Sequence, residues 1–242
     1  MNIRLLRQTS EFKPVGVAFT IFSLLNLATF GIITLWPNMT ETLWLSADRP
    51  WGILTSVFVH KDSSHLIGNL EFFLIWSLLF LLINWHFNKE TRQMYAKVFL
   101  WLIFLSAFVT NTAEFIVRWL PSGVTNVGSW GASGIVYAAA GMCMASALTV
   151  LAISLTGLTQ LGDLKLKIGR LSFGVLVATL LTLYVVQDPR TFLNVAPNVN
   201  VYAHGYSFLI AFFTGLVLFL IWSYRKMRRG NSIFAPPRVS SR

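Results

Sequence analysis

The chain is poor in charge, in acidic groups above all, and nearly without cysteine. Only 12% of its 242 residues are charged, and nine Asp and Glu face nineteen Lys and Arg. So little charge excludes an ordinary soluble domain of this length, which needs about a quarter of its residues charged. A single cysteine, Cys143, excludes any intrachain disulfide. Four histidines and no convincing set of carboxylate ligands argue against a metal centre, although His60, His65 and His204 are the residues such a centre would use. No A-x-A-like cleavage site follows the first apolar run, so that run is expected to be a retained helix rather than a signal peptide.

What is abundant is apolar. Hydrophobic residues make up 55% of the chain and the mean hydropathy is +0.64. These values predict an all-α, polytopic membrane bundle. Six spans are expected: Val15 to Trp36, His65 to Trp85, Ala96 to Thr112, Ser133 to Ile153, Leu171 to Val186 and Val201 to Tyr224. Residues 1–14 form a polar basic start, 15–224 the six-helix membrane domain and 225–242 a basic tail expected to be disordered. Pro37 to Ser64 is too aromatic for a disordered connector and reads as an interfacial loop with short helices. Lys89 to Tyr95 reads as a charged turn, and Pro121 to Trp130, Gly157 to Arg170 and Gln187 to Asn200 as loops.

The net charge of +10 would suit nucleic acid, but its distribution fits a membrane better. Fifteen of the nineteen basic residues fall on alternate segments, at both termini and in the second and fourth loops, and four fall on the other side. The positive-inside rule then places both termini in the cytoplasm of a multi-pass cell-membrane protein. Spans two, four and six all begin at the outer face. His65 and Asn69, Ser133, and His204 stand at those three beginnings, and so share one depth.

Gly131-Ala132-Ser133-Gly134 opens span four. A serine among glycines is most often a helix contact, and small residues do recur here. Gly134, Ala138, Gly141 and Ala145 form one stripe, and Ala203, Ser207, Ala211 and Gly215 another at fourfold spacing. Two such stripes predict backbone-to-backbone contact between spans four and six, which would also bring Ser133 to His204. A histidine within a span is costly and signals function. His65 and Asn69, four residues apart, share a helix face, as two donors for an oxyanion would. Asp62, Ser63 or Ser64 would cap that helix. Tyr137, one turn after Ser133, is placed either to pack or to stack on His204. Glu114, near a helix end, is expected to snorkel to water. Glu71 is expected to pair with Arg118 or to line a cavity.

Together these residues resemble the rhomboid family of intramembrane serine proteases. The resemblance rests on Trp51-Gly-Ile-Leu-Thr55-Ser-Val-Phe-Val-His60 with His65-Leu-Ile-Gly-Asn69, on Gly131-Ala-Ser133-Gly134-Ile-Val-Tyr137, and on Ala203-His204, and spans roughly Trp51 to Gly215. It implies a six-span rhomboid-like fold, Ser133 as nucleophile and His204 as base without an aspartate. It also implies an oxyanion hole of His65, Asn69 and the Ser133 N–H, transmembrane protein substrates admitted between spans two and five, and no cofactor. The chain departs from the family at Gly52, where arginine is usual, and at Ser207 and Ala211, where glycine is usual. A non-catalytic relative that binds transmembrane clients and an unrelated transporter are the rival readings. The transporter would depend on Glu71 or Glu114.

Overall fold

A computed structural model describes residues 10–60, 62–125, 128–157, 164–187, 200–230 and 232–234. Six long helices organise the described residues: α1 (Lys13–Leu35), α2 (Ser63–Asn84), α3 (Lys89–Glu114), α4 (Ser133–Gly157), α5 (Leu164–Gln187) and α6 (Val201–Arg228). Among the described residues, β-pairing is limited to isolated bridges. Among the described residues, five helical stretches are long and apolar enough to cross a membrane: Ser10–Leu35, Ser63–Asn84, Lys89–Ser122, Ser133–Leu155 and Val201–Arg228. The chain is therefore a multi-pass helical membrane protein. α5 contributes a shorter described apolar stretch, Ser172–Leu183.

α4 is the centre. Residues filling 72% of its apolar window are buried, against 22–33% in the other four. Its sequence explains this position. Ala, Gly and Ser on every side let neighbours approach closely, and in lipid such contact, rather than exclusion of water, drives helices together. α6 lies against α4 backbone to backbone. A Cβ at Gly141 would stand 2.4 Å from the Phe208 carbonyl oxygen, and one at Gly134 would stand 3.2 Å from Ser207 Oγ. The two small-residue stripes thus face each other. Ser207 donates to Thr110 Oγ1 at 3.1 Å, which satisfies its hydroxyl inside the bundle.

The helices alternate in direction, and contacts at one end show it. Glu11 pairs with Arg92. Phe12 stacks on Trp85, and Lys226 Nζ reaches Glu90 at 2.5 Å. The start of α1, the α2–α3 turn and the end of α6 therefore meet at one end of the bundle. Lys89 to Tyr95 is helical rather than a turn. Asn88 caps α3 by accepting from the Thr91 N–H at 3.0 Å, and Arg92 is held by Glu11 and the Trp85 carbonyl. Beyond α6 the chain does not leave the bundle at once. The Asn88 N–H donates to the Ile233 carbonyl at 2.8 Å, and Phe234 stacks on Phe87. Residues 235–242 of the expected tail lie outside the described residues, as do 1–9, 61, 126–127, 158–163, 188–199 and 231.

The segment between α1 and α2 carries two short helices, Met39–Leu43 and Gly52–Thr55, and a 3-10 turn, Ser56–Phe58. Trp51 Nε1 donates to the Thr42 carbonyl and Thr55 Oγ1 to the Leu43 carbonyl, each at 2.7 Å. The crossing needs glycine at residue 52: a Cβ there would lie 2.4 Å from the Trp44 carbonyl oxygen and 2.5 Å from Leu45 Cα. No side chain fits, so Gly52 is a requirement of this loop path and not a weakness in it.

Candidate active site

At the other end of the bundle the first turns of α2, α4 and α6 converge. Each start is held by a specific contact. Asp62 accepts from the His65 N–H at 2.8 Å and caps α2. Asn200 accepts from the Ala203 N–H at 3.1 Å and caps α6. The approach to α4 is pinned twice, by paired Leu45 and Ser129 backbone bonds of 3.0 Å and by the Gly131 N–H donating to the Ser56 carbonyl at 2.9 Å.

Ser133 Oγ and His204 Nε2 are 2.7 Å apart. His204 is buried, and the Tyr137 ring lies over its imidazole with centroids 4.3 Å apart and 14° between planes. Tyr137 is one turn along from Ser133, so one helix face presents both the hydroxyl and the flat support of its partner. A hydroxyl bonded to a neutral imidazole nitrogen can hand over its proton as it attacks an electrophile.

Gly131 adopts φ +121°, a conformation other residues rarely take. A side chain there would also fill the space beside the hydroxyl, since its Cβ would lie 3.5 Å from His65 Nε2 and 3.8 Å from Ser133 Oγ. That space is bordered by the His65 ring and the serine hydroxyl, at the start of α4, where the first N–H groups of a helix have no intrahelical acceptor. An oxygen gaining negative charge would find donors and the positive end of the helix there.

Asn69 stands one turn below His65 and is buried. Its amide nitrogen is 2.9 Å from His60 Nε2. His60 Nδ1 lies 3.3 Å from the Phe58 carbonyl, which fixes the tautomer: Nδ1–H donates to Phe58 and Nε2 accepts from Asn69. One amide hydrogen of Asn69 is thereby engaged and the second is left for another acceptor. His60, weighed from sequence only as a metal ligand, instead orients Asn69. No periodic pattern marks this role, because the two residues lie on a loop and a helix. Among the described residues no group of three His, Cys, Asp or Glu side chains is gathered to hold a metal.

Burial lowers the His60 pKa from 6.5 to about 4, and the neighbouring His65 ring adds to the effect. Unfolded chains take up this proton below pH ~6.5 and the folded protein only near pH 4, so the stability that neutral His60 supplies is complete above pH 6.5 and is lost as the pH falls toward 4. The full loss is of order 3 kcal/mol. The thermal midpoint in detergent should therefore fall more steeply between pH 7 and 5 in the wild type than in His60→Gln. Coincident profiles would show that another group governs the acid limb.

Gly134 serves the contact between helices, its Cβ position facing Ser207 Oγ and Ala107. Two acids differ from expectation. Glu114 does not snorkel: its side chain is only 7% exposed and is held by Arg118, Trp119 and Asn200. Arg118 is thereby committed to Glu114, not Glu71, and Glu71 lies on the exposed face of α2 with Ile75, Leu78 and Leu82.

No family model, curated protein or solved structure matches the chain.

Proposed function

We propose that the chain is a rhomboid-like intramembrane serine endopeptidase, with Ser133 as nucleophile and His204 as general base. The observation that carries this reading is the 2.7 Å contact between Ser133 Oγ and His204 Nε2, with Tyr137 stacked on the imidazole. In this reading α5, a helix of 24 residues, is the fifth of six spans, and the basic end of the bundle with both termini faces the cytoplasm. The site then lies toward the outer face.

The chemistry follows from the arrangement. His204 accepts the Ser133 proton as Oγ attacks the scissile carbonyl, and returns a proton to the leaving amine. The oxyanion forms in the space beside Gly131, stabilised by His65, the Ser133 N–H and the free amide hydrogen of Asn69. Water then hydrolyses the acyl-enzyme. A helical substrate hides its carbonyls, so substrates are single-span segments weakened by small residues near the outer face. Access lies between α2 and α5, each of which packs along α4 rather than primarily on the other.

The test is cleavage of a tagged single-span reporter, with fluorophosphonate labelling of the same samples. Wild type should cleave and label, and Ser133→Ala should do neither. A folded wild type that neither labels nor cleaves any of several reporters would overturn the proposal and leave a client-binding membrane protein.

A further inference from the structure

Glu114 is a buried carboxylate at the end of α3, where the segments carrying Ser133 and His204 meet. Its Oε2 accepts from Asn200 Nδ2 at 2.5 Å, and the same Asn200 nitrogen donates to Ser129 Oγ at 3.0 Å. Asn200 Oδ1 caps α6, and the His204 N–H bonds the Asn200 carbonyl at 3.3 Å. Ser129 lies four residues before the nucleophile and Asn200 four residues before the base. One carboxylate thus joins both approaches to α3.

The local backbone is shaped for this contact. Glu114 also accepts from Trp119 Nε1 at 3.2 Å. In a regular α-helix residue i+5 lies roughly 140° round the axis and could not reach back. The segment Phe115–Trp119 is a π-helix, whose wider turn returns Trp119 over Glu114. A π turn, a buried charge and a fully used asparagine amide make a costly arrangement for a helix end that could simply face water.

We propose that Glu114 is a positioning residue for the Ser133–His204 pair, fixing the separation of the two approaches through Asn200 and Ser129. The proposal rests on reading that pair as nucleophile and base. Charge is integral to it. An amide at residue 114 would turn an NH2 toward groups that are themselves donors, and would keep only one acceptor oxygen.

The test uses the full chain in detergent as Glu114→Gln, Asn200→Asp and the double variant. Glu114→Gln should slow fluorophosphonate labelling of Ser133 roughly 10- to 100-fold, the scale of a sub-ångström to 1 Å misplacement, with the thermal midpoint little changed. Asn200→Asp sets two carboxylates together and should be no better. The double variant restores the pair with donor and acceptor exchanged, and should recover most of the lost rate. It also carries the test should either single variant fail to fold. A second readout needs no protease activity. In a Ser133→Cys background the thiol beside His204 should alkylate with a depressed apparent pKa, while Cys143 is buried and silent. Adding Glu114→Gln should move that pKa back to the ordinary thiol range. Unchanged labelling, a double variant no faster than the singles, or an unmoved thiol titration would overturn the proposal. If wild-type Ser133 fails to label at all, the nucleophile reading falls, and the thiol titration still decides whether Glu114 holds the two segments.

Discussion

His204→Ala should lower the rate at which Ser133 reacts with a fluorophosphonate, and the rate of reporter cleavage, by about 10⁴-fold. A serine hydroxyl is a weak nucleophile until its proton is taken, and His204 Nε2, at 2.7 Å, is the group placed to take it. The pair acts as a unit, so the double variant with Ser133→Ala should be no less active than the worse single variant. Tyr137 separates orientation from basicity. Tyr137→Phe keeps the ring that lies parallel to the imidazole and should cost a few-fold at most, whereas Tyr137→Ala removes the support and should cost far more. Second-order labelling rates at matched concentration of folded protein check each step. A His204→Ala variant within tenfold of wild type would end the assignment of His204 as base.

Gly141→Ala should damage the site from a distance. The added methyl would stand 2.4 Å from the Phe208 carbonyl oxygen and 3.1 Å from the Phe212 nitrogen. Both are backbone atoms of α6 and cannot rotate aside, so the helix itself must shift. Gly141 lies eight residues beyond Ser133, or about 12 Å along α4. A displacement there opens the angle between the helices that carry Ser133 and His204. Overpacking of this kind costs about 1–3 kcal/mol, and the loss of alignment should slow labelling by more than tenfold. Gly31→Ala is the control, because nothing lies within 4 Å of a Cβ at that position. The two variants should part in both thermal midpoint and labelling rate. Equal behaviour would mean that α4 and α6 can slide without consequence for Ser133.

Much of the architecture was legible because it is periodic. The apolar runs marked the membrane helices, and the stripes from Gly134 to Ala145 and from Ala203 to Gly215 marked the contact between α4 and α6. Helix ends were less legible. α3 starts at Lys89 rather than Ala96, because a capping asparagine and the Glu11–Arg92 pair extend it through charged residues that hydropathy alone assigns to a turn. The identities of Ser133, His204, His65 and Asn69 as candidates were visible, since polar groups at one depth in apolar segments are rare and costly.

The sequence by itself determined that this is a multi-pass helical membrane protein, which helices meet most closely, and which serine and histidine stand at matching depth. Those properties follow from composition and from spacing within single helices. Only the tertiary structure decided that His60 holds Asn69, that Glu114 is buried and joined to Asn200, and that Gly52 is required by the path of Trp44 and Leu45. Each of these depends on contacts between a helix and a loop, or between segments far apart in the chain. Loops have no period, and a hydrogen bond between distant residues leaves no trace in the spacing of either one.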